Sequence, residues 1–413
     1  MKKMLRILAG ILLFTVAVST CAAAEEPSFL RQISGGLAKL PPPNEMQALS
    51  LEEVEKLNEN MGAYTPAETT LAKNNAPAFY YYDQLNPMER EIYDIIVMIA
   101  QDPVEENVGV MITDMDPDSE EFQEAYMRAM YSVWFDHPEF FWLYWYTEDY
   151  IGFGSHVDEV MANAIYIVYF FIEKTYKDYE EKTTEFNEAV QAFLADINTN
   201  ATEYEIAKQI HDKLIDLAEY NHPVSEFGAE DLAHTAYGAL VRDSSGNPNL
   251  PVCDGYSLAF EYLLQQCGIE AAIIGGSGGA TELDAGGHAW NIIKLDGAWY
   301  EVDSTWDDSM RSTEGVYDQD VIEALMNPSF REKMGHYMFL ISTEHMTHYE
   351  PNAEEFTYYS NAGWYIPFYE GMSSVHIRDS NHNGKAATGI GQIAMNSVID
   401  TAPVADYDYG VYY

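Results

Sequence analysis

Residues 288–306, "HAWNIIKLDGAWYEVDSTW", constrain the fold of this chain more than any other stretch. Two apolar-rich segments flank Asp296-Gly297. Asp-Gly is a favoured connection in a two-residue hairpin turn, where both central positions need positive φ. With that turn, Leu295 pairs with Ala298 and the ladder runs on to Trp290 opposite Asp303. His288 is two residues from Trp290, so it shares a face with Asp303 and lies diagonal to it. Diagonal cross-strand neighbours sit about 7–8 Å apart with their Cβ atoms closer, within reach of an imidazole–carboxylate hydrogen bond. Ala289, Ile293, Leu295, Tyr300 and Val302 point to the opposite face, which reads as core, and Asn291 goes with them. A one-residue slip would exchange the faces and separate His288 from Asp303.

A thiol precedes this hairpin. "PVCDGYSLAF", residues 251–260, contains one of only three cysteines, and the following "SLAFEYLLQQCG" has a helical pattern. Cys253 therefore falls at or near a helix N-terminus, where the dipole and unpaired backbone N–H groups favour a thiolate and can hold an oxyanion. Gly255 permits close backbone approach. Asp254 works slightly against a thiolate unless its side chain caps the helix. Cys267 stands just before Gly268, a helix-ending signal, and reads as a buried small hydrophobe. The two cysteines are 14 residues apart on one helix, about 21 Å at 1.5 Å per residue. A disulfide needs Cα atoms within about 7 Å, so Cys253 is expected to be a free thiol. A neighbouring imidazolium would help form its thiolate, and a carboxylate would orient that imidazole.

The N-terminus adds a compartment. "MKKMLR" is a basic segment, "ILAGILLFTVAV" a short apolar one, and "STCAAAEEP" offers small residues for cleavage. This is the layout of a bacterial secretory signal, cut after Ala24. The apolar run is shorter than the roughly 18–20 residues of a spanning helix. Thr20 fits a lipobox poorly, which disfavours a lipoprotein anchored through Cys21. A secreted, periplasmic or cell-surface protein is expected, with no stable membrane span after cleavage. In the 413-residue chain, 67 acidic side chains face 21 basic ones for a net charge of −46. Nucleic acid and anionic membrane are thus poor partners, since both need basic patches. At 47% hydrophobic and 14% aromatic residues, a substantial core is expected rather than global disorder.

The rest of the chain divides by pattern. The signal takes residues 1–24, and a loop-like stretch with one short helix, "ALSLEEVEKLNENM", covers 25–83. From 84 to 200 an α-rich domain is expected, helical over about 85–140. It continues with two aromatic strands, "FWLYWYTEDYIGF" and "NAIYIVYFFI", and the helix "TTEFNEAVQAFLADI". A weak boundary falls near Asn198-Thr199-Asn200. The chemistry concentrates in residues 201–345, and a Tyr-rich extension follows from 346 to 413.

"VCDGYSLAFEYLLQQCGI", "GGHAWNIIKLDGAWYEVDSTWDD" and "EIAKQIHDKLIDLAEY" together resemble the transglutaminase-like superfamily, especially its bacterial exported members. "AYMRAMYSVWFDHPEFFWL" resembles the helical lead-in of such proteins. The resemblance implies an α+β fold. Its papain-like core packs a Cys helix on an antiparallel sheet and follows a mainly helical N-terminal region. It also implies Cys253 as nucleophile, His288 as general base and acid, and Asp303 as the orienting group. It does not fix the reaction, because members include cross-linking acyltransferases, peptidases, amide hydrolases and inactive scaffolds.

Other residues read as structural. Trp290, Trp299 and Trp306 suit packing, with one able to wall an acyl site, and Asp307 and Asp308 suit a turn. Asn247 and Asn249 stand near Cys253 in sequence, but loop polarity explains them as well as an oxyanion role does. His211 suits a structural place in its helix, and Asp136, His137 and Glu139 a helix-end turn. No spacing supports a zinc site. "DSNHNG", residues 379–384, opens like a calcium loop but reaches Ile390 where a bidentate carboxylate is required, so an Asn-Gly turn fits better. No cofactor or metal is expected. The sequence thus points to an exported thiol enzyme acting on amide or peptide bonds of a protein or peptide substrate, in association with the cell wall or free. Hydrolysis of the thioester is slightly favoured over amine transfer (a transglutaminase). A catalytically silent binding module at the cell surface is the remaining reading.

Overall fold

The computed structural model describes residues 38–39, 79–101, 103, 107–113, 115–143, 153–159, 166–172, 178–221, 232–242, 245, 247, 249–283, 285–312, 318–349, 357–359, 365–367, 374–378 and 403–409. The secretory-signal segment, the helix "ALSLEEVEKLNENM" and the "DSNHNG" turn lie outside these residues. No described helix is long and apolar enough to cross a membrane. Described residues up to 179, without 79–80 and 135–141, form one compact unit. Those from 180 onward, together with the two excepted pieces, form another.

The first unit contains a four-stranded antiparallel sheet of β1 (Ala38–Lys39), β2 (Asn107–Thr113), β3 (Phe153–Glu159) and β4 (Tyr166–Ile172), in the order β1-β2-β4-β3. Helix α1 (Pro87–Ala100) packs on β2 and β4. Its start is written locally: Asn86 accepts from the Met88 and Glu89 amides, Glu89 accepts from the Asn86 amide, and Pro87 opens the helix. This is a capping box with proline where no N–H is needed. Ile92, Ile95, Ile96 and Ile99 form its buried face. Helix α2 (Glu120–Asp136) follows. The helical expectation for 85–140 misses β2. Its Val/Ile-rich sequence is short enough to pass as a helical face, and Gly109 decides its place. A Cβ there would lie 2.2 Å from Ile95 Cγ2, so only glycine lets the strand run this close under α1. Of the aromatic pair, "NAIYIVYFFI" supplies β4, whereas residues 141–143 are a turn and the partner strand starts at Phe153.

In the second unit, helices α3 (Tyr179–Leu194), α4 (Glu203–Leu217), α5 (Ala236–Leu240) and α6 (Cys253–Gln266) precede the sheet strands. These are β5 (Ala271–Gly279), β6 (Gly286–Leu295) and β7 (Ala298–Val302). Helices α7 (Ser304–Arg311), α8 (Gln319–Met326) and α9 (Pro328–Met334) lead to β8 (Phe339–Ile341), and the short α10 (Thr343–Thr347) follows. Strands β9 (Thr357–Tyr359) and β10 (Tyr365–Pro367) pair separately, and β11 (Val375–Ile377) closes the series. The five-stranded antiparallel sheet runs β11-β5-β6-β7-β8. Helix α6 packs on β5 and β6 and touches α4, α5 and α7. The fold is α+β, with the Cys253 helix against an antiparallel sheet.

The predicted hairpin register is present: Leu295 pairs with Ala298 and Asn291 with Val302, and both Asp296 and Gly297 have positive φ. Ala289, Asn291, Ile293, Leu295 and Val302 are buried, whereas Tyr300, expected in the core, is half-buried beside Tyr409. The Asn291 amide donates to the Ser257 carbonyl at 3.0 Å, tying α6 to the sheet. The other face is also buried at its Trp290 end, contrary to its less apolar reading, while Lys294 and Trp299 stay half-buried. Trp290 is 1% exposed and Ile292 and Glu301 are fully covered. Trp290 Nε1 donates to Glu301 Oε2 at 2.6 Å, and Arg378 donates to Glu301 Oε1 at 2.6 Å. An indole and a carboxylate on neighbouring strands therefore satisfy each other, and segments beyond the hairpin cover them.

The glycines of "AAIIGGSGG" make room at the sheet edge. A Cβ on Gly276 would lie 2.0 Å from the Ile377 carbonyl oxygen, and one on Gly278 would lie 2.8 Å from His288 Cδ2. Gly276→Ala should push β11 off β5 and cost about 1–3 kcal/mol, the usual range for overpacking. A drop of several degrees in the thermal unfolding midpoint is the expected readout, and an unchanged midpoint would show that β11 yields freely.

Candidate active site

Cys253 is the first residue of α6, after an extended Val252 that supplies no side-chain cap. The Cys253 and Asp254 amides at the helix start therefore lack the side-chain cap that a serine or aspartate at 252 would supply, as an oxyanion site requires. Gly255 sits where a Cβ would meet the Ala233 carbonyl oxygen at 2.2 Å, so the helix start nests tightly against the Leu232–His234 turn. Asp254 does not cap the helix. Its carboxylate accepts from the Gly255 amide at 3.0 Å and pairs with His234 Nδ1 at 2.8–2.9 Å.

His288 is brought from β6 and Asp303 from the end of β7. His288 Nε2 lies 2.6 Å from Asp303 Oδ2, and Cys253 is near enough to the ring to help raise its pKa. With Nε2 on the carboxylate, Nδ1 is the nitrogen left for the thiol. Asp303 serves a second purpose as the N-cap of α7, its Oδ1 accepting from the Thr305 and Trp306 amides at 3.0 and 3.1 Å. Burial alone would disfavour the His288 imidazolium. The Asp303 charge and hydrogen bond, together with Cys253, outweigh it and raise the pKa to about 10. Burial would likewise raise Asp303, but His288 and the donors on its oxygens hold it well below the usual carboxylate range. The three sequence-selected residues thus share one site.

His376 and Tyr220, which the sequence reading passed over, add to the surroundings. His376 of β11 also reaches Asp303 Oδ2, at 2.8 Å. The Tyr220 hydroxyl is raised in pKa by burial, then by the charges of Cys253, Asp254 and Asp303. The Trp306 ring lies 6.3 Å from His288 and 5.0 Å from His376, between centroids, and walls the site. Val-His-Ile alternation at 375–377 is a strand signal, but nothing in it points to Asp303. Asn249 is pinned elsewhere, its amide donating to the Ala239 carbonyl at 2.8 Å, and exposed Asn247 bonds to Ser245.

Asp307 and Asp308 are buried on α7, not in a turn. Asp307 accepts from the Met338 amide at 2.8 Å and lies 3.1 Å from His211 Nε2, while Asp308 accepts from the Tyr256 hydroxyl at 2.6 Å. His211 is accordingly a fully buried strut between α4 and α7. Among the described residues, two groups have metal-ligand spacing, His211 with Asp212 and His336, and His288 with Asp303 and His376, each within 4.8 Å. In both, the carboxylate accepts from two imidazoles, and Asp212 additionally lies 2.6 Å from Lys208.

Cys253 and Cys267 are both free thiols at opposite ends of α6. Cys267 is half-buried rather than fully buried, and burial pushes its thiol up to about 11.

Residues 191–304 match the family model of the transglutaminase-like superfamily. This segment is a transglutaminase-like core. The superfamily is one of cysteine-dependent enzymes. Solved structures similar to the chain include a TGase, at 11% identity and a TM-score of 0.25 over 38% of this chain and 44% of that one. Another is a candidate cysteine protease from Cytophaga hutchinsonii, at 11% identity and a TM-score of 0.23 over 38% of this chain and 62% of the other. The chain spans less than two thirds of either protein. No curated protein matches it. The matched segment contains Cys253, His288 and Asp303 and ends one residue after Asp303. The strand carrying His376 lies well beyond it.

Proposed function

We propose that this chain is an exported thiol enzyme that cleaves or exchanges amide bonds, with Cys253 as nucleophile, His288 as general base and acid, and Asp303 as orienting group. One observation carries the reading: Cys253, at a helix N-terminus, interacts electrostatically with the His288 imidazole, whose Nε2 rests 2.6 Å from the buried Asp303 carboxylate. A nucleophile, a base and an orienting group in that order form the arrangement from which thiol acyl chemistry proceeds. The Cys253 sulfur attacks the amide carbon, and first-turn amides of α6 stabilise the oxyanion. The C–N bond breaks as His288 passes its proton to the leaving amine, and a thioester remains. Water then attacks the thioester while His288 takes a proton, releasing a carboxylic acid and the thiol.

Hydrolysis is the favoured outcome, with a protein or peptide as substrate. Amine transfer is the second reading, favoured by the net charge of −46, which draws cationic amines to the surface. Incubating the protein with a casein-type substrate and a labelled primary amine separates the two. New chain ends or carboxylates, without label, support hydrolysis. Covalent label on glutamine side chains supports transfer. Neither product, together with a Cys253 that alkylates no faster than Cys267, would leave a binding module.

A further inference from the structure

We propose that His376 is a positioning residue that holds the Asp303 carboxylate in register for His288, so that a strand outside the transglutaminase-like core supplies a working part of the site. This rests on the thiol-enzyme reading above. His376 stands at the centre of β11, paired with Gly278 of β5, and is 1% exposed. Its Nε2 lies 2.8 Å from Asp303 Oδ2, the same oxygen that receives His288 Nε2 at 2.6 Å. Asp303 Oδ1 is already occupied by the two amides of α7. The carboxylate therefore has four donors from three elements, and its plane is fixed.

The chemistry of the His376 ring supports the assignment. Its Nε2 must carry the proton to donate, which leaves Nδ1 as a bare acceptor. That atom is buried and has no hydrogen-bond partner among the described residues. An unsatisfied buried polar atom costs about 1–3 kcal/mol. Leucine or phenylalanine could fill the same place, packed against Trp290 and Trp306 at 5.2 and 5.0 Å, without that cost. What only a donor-bearing side chain provides is the bond to Asp303. The titratable groups around the ring are Asp303, His288 and Glu301, and burial, first among the causes, keeps His376 neutral so that it does not compete with the His288 imidazolium.

Two amide substitutions that differ in reach test the role. Glutamine can place its Nε2 near the histidine Nε2, whereas asparagine is one methylene shorter and falls away from Asp303. The probe is iodoacetamide, applied to the full chain across pH 5–9, with alkylation of Cys253 and Cys267 followed separately by peptide mass spectrometry. His376→Asn should slow Cys253 labelling at pH 6–7 by about tenfold or more, by analogy with the loss of outer-shell hydrogen-bond partners at metal sites. It should also move the rise in rate to higher pH. His376→Gln should stay within about threefold of wild type and keep its pH profile. His376→Leu, which fills the volume without a donor, runs in parallel and should match the asparagine variant, so the comparison survives if one variant does not fold. Equal behaviour of the glutamine and leucine variants, both fast or both slow, would overturn the positioning role. If wild-type Cys253 is fast and His288→Ala makes it slow while the His376 variants change nothing, this inference alone fails. If wild-type Cys253 labels no faster than Cys267, the thiol-enzyme reading fails and this inference with it.

Discussion

Replacing His288 with alanine should remove most of the reactivity of Cys253 at acidic pH. With the imidazolium gone, an ordinary thiol of pKa about 8.5 is only about 0.3% thiolate at pH 6. The higher intrinsic nucleophilicity of a more basic thiolate returns part of that loss. A net slowing of alkylation by at least about tenfold at pH 6 is expected, and turnover should fall by roughly 10²–10⁴-fold because the general acid is also lost. The pH direction follows from the His288 shift. Its pKa is raised, so the imidazolium persists below about 10 and is lost as pH rises through it. The alkaline limb of turnover should therefore lie well above the ordinary histidine value of about 6.5. Cys267, pushed up to about 11 by burial, should label slowly throughout and report any unfolding. A His288→Ala protein that alkylates as fast as wild type at pH 6 would remove the pair from the mechanism.

Glu301→Ala should be the most destabilising single change in the sheet. Glu301 is fully buried and holds both Trp290 Nε1 and the Arg378 guanidinium at 2.6 Å. Truncating it leaves an indole N–H without its acceptor and a largely covered guanidinium without its counter-charge. Breaking one side of a buried ion pair typically costs about 3–5 kcal/mol. Arg378 also donates to the Pro403 carbonyl and Thr343, so release of Glu301 should loosen the strand that carries His376. Urea unfolding with a freely fitted slope is the measurement. A loss under about 1 kcal/mol would mean that water or a shifted side chain replaces Glu301 readily. Glu301→Gln keeps an acceptor for Trp290 and should lose less than the alanine variant.

The hairpin shows how far local chemistry reaches. Asp296-Gly297 admits a turn with positive φ at both positions, the turn sets the register, and the register places His288 and Asp303 on one face. None of these steps needs a distant partner, so all were legible. Cys253 at a helix start was legible for the same reason, since an apolar helical pattern and a terminal Cys-Gly268 mark both ends of α6. Strand β2 was not legible, because seven residues with Val and Ile fit a helical face as well as a pleat. Its place depends on the gap that Gly109 leaves under Ile95. The same limit applies to Asp307 and Asp308. A pair of aspartates after a tryptophan resembles a turn until His211, Met338 and Tyr256 arrive from elsewhere in the chain.

By itself the sequence determined the Cys253 helix, the hairpin and the meeting of His288 with Asp303, because periodicity and turn chemistry act over a few residues. Only the tertiary structure decided that His376 shares the Asp303 oxygen, that His234 pairs with Asp254 and that Glu301 joins Trp290 to Arg378. Those contacts join segments 11 to 77 residues apart. They form where packing excludes water and each buried charge or donor must find a partner from whatever element lies next to it.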